Sequence, residues 1–226
     1  IDGLGGNDLI TIHGTDQNET VTLNPGSVDV VGGTYEFHAT GVEDIAVDAG
    51  AGSNSVTMTG SAGSNRLYSY ADYARLSDSP RTFSYRADGF DAVTVNAPES
   101  GRDYAFIYDS LQNDVLDADP DRVILNRAVG TPDATTTTAS GFGRAYAYAT
   151  NGGTNVATLT GSDTARNRFY GYADYSILTE SRRSFYFYAR GFNTVTAESP
   201  GDGYSYAYLH DSPGVDSLTA DPASAT

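Results

Sequence analysis

The chain has 226 residues, a formal charge of −16 and a sequence pI near 4.2. Such a surface repels phosphate backbones and anionic membranes, so nucleic acid is excluded as a partner, and no stretch is apolar enough for membrane insertion. There is no Cys and no Lys, which removes disulfides, thiolate metal sites and lysine chemistry.

Gly, Pro, Ser, Thr and Asp recur as turn residues, and Val, Thr, Tyr and Phe fill the segments between them. This is strand composition, and the fold class is all-β. Sliding the chain by 102 residues places Asn65 on Asn167, Tyr70 on Tyr172, Gly89 on Gly191 and Pro120 on Pro222. The period has a half, because Gly41-Val42, Gly89-Phe90, Gly141-Phe142 and Gly191-Phe192 follow at spacings of 48, 52 and 50. A repeat unit of about 50 residues with about five short strands results. Alternate units resemble each other more than neighbours do.

In chain order, residues 1–58 form an irregular first unit, 59–107, 108–159 and 160–209 form three regular ones, and 210–226 begin a fifth. The array carries no linker composition and no domain boundary. In the first unit, Asn7 to Gly41 spans 34 residues against 24 from Asn65 to Gly89, which predicts an extra hairpin or protruding loop around 16–33. After each Gly landmark, Ile45, Val93, Ala145 and Val195 share one column, and Val47, Val95, Ala147 and Ala197 share the next. Period-two alternation points these columns inward. Tyr146 and Tyr148 between them then point outward. In the following strand Val56, Ala105, Ala157 and Ala207 point inward with Met58, Ile107, Leu159 and Leu209, which turns Phe106, Tyr108 and Tyr208 outward. In the strand after that, Tyr68, Tyr70, Tyr170 and Tyr172 align with Leu116 and Ala118 and are expected to face in.

Two architectures accommodate the unit. One is a parallel β-solenoid (β-helix) with coils of about 24 residues, two per unit and about nine in all. The alternative is a β-propeller-like array with one blade per unit. Four and a half units do not close a ring, and the small inward Ala and Val suit a narrow coil, so the solenoid is the expected fold.

Gly3-Leu4-Gly5-Gly6-Asn7-Asp8-Leu9-Ile10-Thr11 resembles the nonapeptide of haemolysin-type (RTX) calcium-binding repeats, with Leu4 in place of the second Gly. The resemblance implies Ca²⁺ as a cofactor, held by the Asp8 carboxylate and turn carbonyls. By position Asp114 and Asp216 keep the carboxylate at later turns, whereas Arg66 and Arg168 replace it. The same corners also read as Asn/Asp/Gly turns closed by side-chain to backbone hydrogen bonds. More broadly, segments such as Phe106-Ile107-Tyr108-Asp109-Ser110 resemble the repeat regions of large secreted or cell-surface bacterial proteins. That resemblance implies a non-catalytic stalk, fibre or adhesin that stacks on itself end to end or laterally. The outward aromatics Phe106, Tyr108, Tyr146, Tyr148 and Tyr208 offer the alternative of a carbohydrate-binding module for extracellular polysaccharide, or cross-strand ladders. An enzyme is not expected. A β-helix polysaccharide lyase using Arg122 or Arg127 is the enzymatic alternative, and the recurrence of the Asp residues argues against a unique catalytic pair.

Overall fold

In a computed structural model, residues 1–3, 5–98, 102–201 and 204–212 are described, and their regular structure is entirely β. β1 (Leu9–His13) opens a first sheet, sheet I. β2 (Thr20–Asn24), β3 (Gly26–Val31) and β4 (Glu36–Val42) form an antiparallel meander in a second sheet, sheet II. β5 (Asp44–Asp48) returns to sheet I and β6 (Ser55–Thr59) to sheet II. The next meander, β7 (Ser64–Ser69), β8 (Tyr73–Ser79) and β9 (Ser84–Asp88), lies in sheet I. β10 (Ala92–Asn96) and β11 (Tyr104–Tyr108) follow in sheets II and I.

β12 (Val115–Asp119), β13 (Arg122–Arg127) and β14 (Thr135–Ser140) then build a meander in sheet II, followed by β15 (Arg144–Tyr148) and β16 (Val156–Thr160). β17 (Asn167–Gly171), β18 (Tyr175–Glu180) and β19 (Tyr186–Arg190) repeat it in sheet I, and β20 (Thr194–Glu198) and β21 (Tyr206–Leu209) close the described chain. Sheet I runs β1-β5-β9-β8-β7-β11-β15-β19-β18-β17-β21, and sheet II runs β20-β16-β12-β13-β14-β10-β6-β2-β3-β4.

Strands of successive coils pair in parallel, so the molecule is a two-sheet β-solenoid of about five turns. Each turn is longer than the expected 24 residues. Asp44 pairs with Leu9 and Ser84 with Asp44, because a meander is folded into each of these steps and returns the chain beside the earlier strand. A hairpin strand carries the same period-two alternation as a coil strand, so sequence columns alone do not separate them.

The meanders explain the double period. One unit of five strands puts a meander on one sheet, crosses once to the other and comes back, so the next unit starts on the opposite sheet. Neighbouring units therefore exchange sheets, while units two apart share the same surroundings. The stronger resemblance at 102 residues is this exchange written in sequence.

Between the sheets lies a single core. The expected columns Ile45, Val93 and Ala145, then Val47, Val95 and Ala147, then Met58, Ile107 and Leu159 are all buried. Two expectations on alignment are corrected. The inward residues of β7 are Leu67 and Ser69, so Tyr68 and Tyr70 face out, and Tyr170 lies on the same outer face in β17. The equivalent of Leu116 is Leu67, one residue earlier, and a one-residue slip turns every side chain of a strand over. In the first unit the extra hairpin is present as β2 and β3, but it belongs to a complete meander, and the additional element is β1.

The Gly landmarks end each meander. Gly41, Gly89, Gly141 and Gly191 have φ of 69°, 72°, 78° and 80°, a left-handed conformation that suits Gly. A Cβ at Gly141 would lie 2.0 Å from the carbonyl oxygen of Ala97. The next residue, Val42, Phe90 or Phe142, is buried in the core.

Candidate functional site

Polar residues line the corners where coils enter strands. The backbone N–H of Glu19 donates to Oδ1 of Asn54 at 2.7 Å, and that of Asn54 to Oδ2 of Asp91 at 2.7 Å. Further along, Asp114 donates to Asn155 Oδ1 at 2.8 Å and Asn155 to Asn193 Oδ1 at 2.7 Å. On the sheet I side, the N–H of Asp8 donates to Glu43 Oε2 at 3.0 Å and that of Asn65 to Asp103 Oδ1 at 2.6 Å. A parallel ladder that stops at a corner leaves backbone donors without partners, and these side chains supply the acceptors.

Side chains at these corners also close the turn before them. Asn65 Oδ1 accepts from Ser61 N–H at 3.0 Å, Asn167 Oδ1 from Ser162 N–H at 2.9 Å, and Glu19 Oε1 from Thr15 N–H at 2.9 Å. Burial pushes the Glu19 carboxyl up, but hydrogen bonds from Thr15 and Tyr35 outweigh it and hold the group below its ordinary value.

Asp114 belongs to this set. Its Oδ2 accepts from Ser110 N–H at 2.9 Å, and its Oδ1 from Ser110 Oγ at 2.7 Å and from Ala128 N–H at 2.9 Å. Its oxygens serve the corner. Asp8 stands at a different corner, before β1, and its buried Oδ2 has no hydrogen-bond partner among the described residues. Asp216 lies outside the described residues. Among the described residues no group of three or more His, Asp or Glu is placed to hold a metal ion.

Arg127 is buried between the sheets, not in a cleft. Its guanidinium donates to the Tyr108 carbonyl at 2.8 Å and Ser69 Oγ at 2.9 Å in sheet I, and to Thr137 Oγ1 at 2.9 Å in sheet II. Burial pushes it down to about 10, against the opposing charges of Asp114 and Asp109. Burial also raises the Asp109 carboxyl, and the nearby Asp114 adds to the rise. Arg122, the other cation considered for lyase chemistry, is exposed on β13 beside Asp119, 3.5 Å away.

The predicted aromatics stand on the outer face of sheet I and stack in ladders. Tyr68, Phe106 and Tyr146 are in register, with ring centroids 5.0 and 5.2 Å apart. Tyr70, Tyr108 and Tyr148 follow at 4.4 and 5.1 Å. Tyr208 stacks on Tyr170 at 4.9 Å. Ring faces inside the ladders are covered by neighbouring rings, which presents edges and hydroxyls to solvent.

Sequence reasoning missed how the cations join this face. Arg66, Tyr104, Arg144, Tyr186, Thr179, Arg168 and Tyr206 form one lateral row of paired positions. Apart from Arg122 and Arg127, every Arg lies on a sheet I strand or a loop bordering one. The outer face of sheet II is different, with Thr22, Thr57, Thr94 and Thr138 in one row. Aligning the units on Asn65, Asp114 and Asn167 would have revealed the Tyr and Arg columns.

No family model matches the chain, and neither a curated protein nor a solved structure matches it.

Proposed function

We propose that this chain is a non-catalytic structural and adhesive segment of a secreted or cell-surface repetitive protein, a stalk built by stacking coils. The observation that carries the reading is the in-register parallel stacking of successive coils along two continuous sheets. Among the described residues, the inward column positions Ala207 and Leu209 of β21 are exposed, Leu209 at 56%, where their equivalents Ala105 and Ile107 are fully buried. An edge of this kind is a template for another coil or another copy. Among the described residues, the carboxylates with shifted proton affinity sit at corners and turns, which agrees with a scaffold. Calcium enters the proposal at Asp8, the predicted ligand among the described residues whose carboxylate keeps an oxygen unpartnered.

Sedimentation velocity over a hundredfold range of concentration, in chelator and in millimolar Ca²⁺, tests the reading. The wild type is expected to form larger species as concentration rises, and Ala207→Lys with Leu209→Lys to remain monomeric. A wild type that stays monomeric throughout would contradict stacking, and identical profiles in both buffers would remove calcium from the account.

A further inference from the structure

The outer face of sheet I carries a second aromatic row, Tyr68, Phe106, Tyr146, Tyr188, Ile177, Tyr170 and Tyr208, in continuous register. Its one aliphatic member is Ile177, on β18. The neighbouring row of Arg and Tyr is interrupted on the same strand, by Thr179. Two short side chains side by side, between tall neighbours on both flanks, leave a trough of about 360 Å³. Its floor is Ile177 and Thr179. Tyr146 and Tyr186 wall one side, Tyr170 and Tyr172 the other, and Arg144, Arg168 and Arg183 converge on it.

The earlier copy of this meander shows that the trough is particular to the fourth unit. At an offset of 102 residues, Arg75 stands where Ile177 does, Ser84 where Tyr186 does, and Arg86 where Tyr188 does. Arg75 occupies the floor there, its guanidinium 3.4 Å from Ser84 Oγ, and Arg86 is tied to Asp88 and lies 4.1 Å over Tyr73. The fourth unit exchanges a filled, self-paired surface for an open one with taller walls.

Among the described residues, the cations of the trough lack carboxylate partners. Arg144 donates to the Tyr104 hydroxyl at 2.9 Å, and neither Arg168 nor Arg183 forms an ion pair among the described residues. Glu180, the one acid on the lining, is engaged with backbone. Its Oε1 accepts from Ser184 N–H at 2.6 Å and its Oε2 from Arg182 N–H at 2.7 Å. Ring stacking also breaks here. Tyr186 and Tyr188 tilt 43° away from Tyr146 instead of continuing the parallel ladder, and Tyr170 stacks on Tyr208, away from the trough.

We propose that this trough binds an acidic polysaccharide, with a sugar ring against the Tyr walls and uronate carboxylates on Arg168 and Arg183. Guanidinium groups recognise carboxylates through paired hydrogen bonds, and aromatic rings cover the apolar faces of sugars. The site supplies both within one hollow, on a molecule whose net charge of −16 discourages non-specific binding of polyanions. The proposal rests on the extracellular, adhesive part of the reading above and not on stacking, so the two fail separately.

The test is calorimetric titration of the monomeric Ala207→Lys, Leu209→Lys chain with oligogalacturonate, with a neutral glucan oligomer and with single-stranded DNA of similar length. Oligogalacturonate is expected to bind, and to weaken about tenfold in Arg168→Gln, a loss of about 1.4 kcal/mol. Arg183→Asn, which suits the φ of 58° at that position, is expected to weaken it similarly. Ile177→Glu places a carboxylate on the floor and is expected to abolish binding while leaving the melting temperature unchanged. No binding of oligogalacturonate at millimolar concentration would overturn the proposal. So would equal binding of the neutral glucan, tighter binding of DNA, or undiminished binding in Ile177→Glu.

Discussion

At the residue scale, this fold depends on polar side chains placed where backbone pairing stops. Asn54, Asn65, Asp114, Asn155 and Asn167 are buried as thoroughly as the core aliphatics. A buried polar group is tolerated only when its hydrogen bonds are made, and each of these makes them with a turn or a neighbouring coil. The carboxylates at such places carry a pH signature. In Asp78, burial raises the pKa, but the Thr82 hydroxyl, the Phe83 and Thr82 backbone donors and Ser61 together lower it below its ordinary value. In Glu180, burial is likewise outweighed, by the Ser184 and Arg182 donors. Glu19 behaves in the same way.

A carboxylate whose folded pKa lies below its unfolded one stabilises fully above the unfolded value, and that contribution fades as pH falls through the folded one. The urea midpoint is therefore expected to hold from neutrality to about pH 5 and to fall below about pH 4.5. In Glu180→Gln part of this acid sensitivity should be gone. A midpoint that rises on acidification below pH 4.5 would contradict the assignment.

The strands themselves were legible from sequence, and one of their registers was not. Alternation in β5, β10 and β15 reads cleanly because their inward residues are aliphatic and their outward ones mostly polar. β7 reads Leu67-Tyr68-Ser69-Tyr70, with large apolar rings on the outside and a buried Ser69 held by Thr137 and Arg127. Hydrophobic pattern alone assigns those rings to the core. Only the polar landmark Asn65, which lies two residues before Leu67 as Asp114 lies two before Leu116, fixes the register. The nonapeptide at residues 3–11 misled in a related way. It drew β1 into alignment with β7, whereas Glu19, before β2, is the residue that plays the part of Asn65.

The Gly landmarks were legible as turns, and the structure gives their cause. Gly141→Ala places a Cβ in a left-handed residue and against the Ala97 carbonyl, so a loss of about 1–3 kcal/mol is expected in urea unfolding. An unchanged midpoint would mean that the turn relaxes freely.

For the whole molecule, the governing feature is the exchange of sheets between units. It turns a 50-residue repeat into a 102-residue one and gives the two outer faces different chemistry, threonine on one and tyrosine with arginine on the other. It also makes the stack extendable, since each full period hands the chain on to the sheet where that period began. The solenoid class was visible in the columns and in the absence of ring closure. The coil length was not, because a hairpin returning the chain to its earlier neighbour leaves no mark in a strand's own sequence. The candidate trough was hidden for a further reason: its walls and floor come from β15, β17, β18 and β19, and only their lateral order brings them together.

Small-angle scattering of a chain carrying a second copy of residues 65–166, inserted after Arg166, tests this account most directly. One inserted period adds five strands to each sheet. At a strand spacing of about 4.8 Å, the particle should lengthen by about 24 Å with an unchanged cross-section. The lengthened chain should also melt in one transition at a higher temperature. A particle that thickens, or that unfolds in two separate steps, would mean that the period is not a self-continuing segment of solenoid.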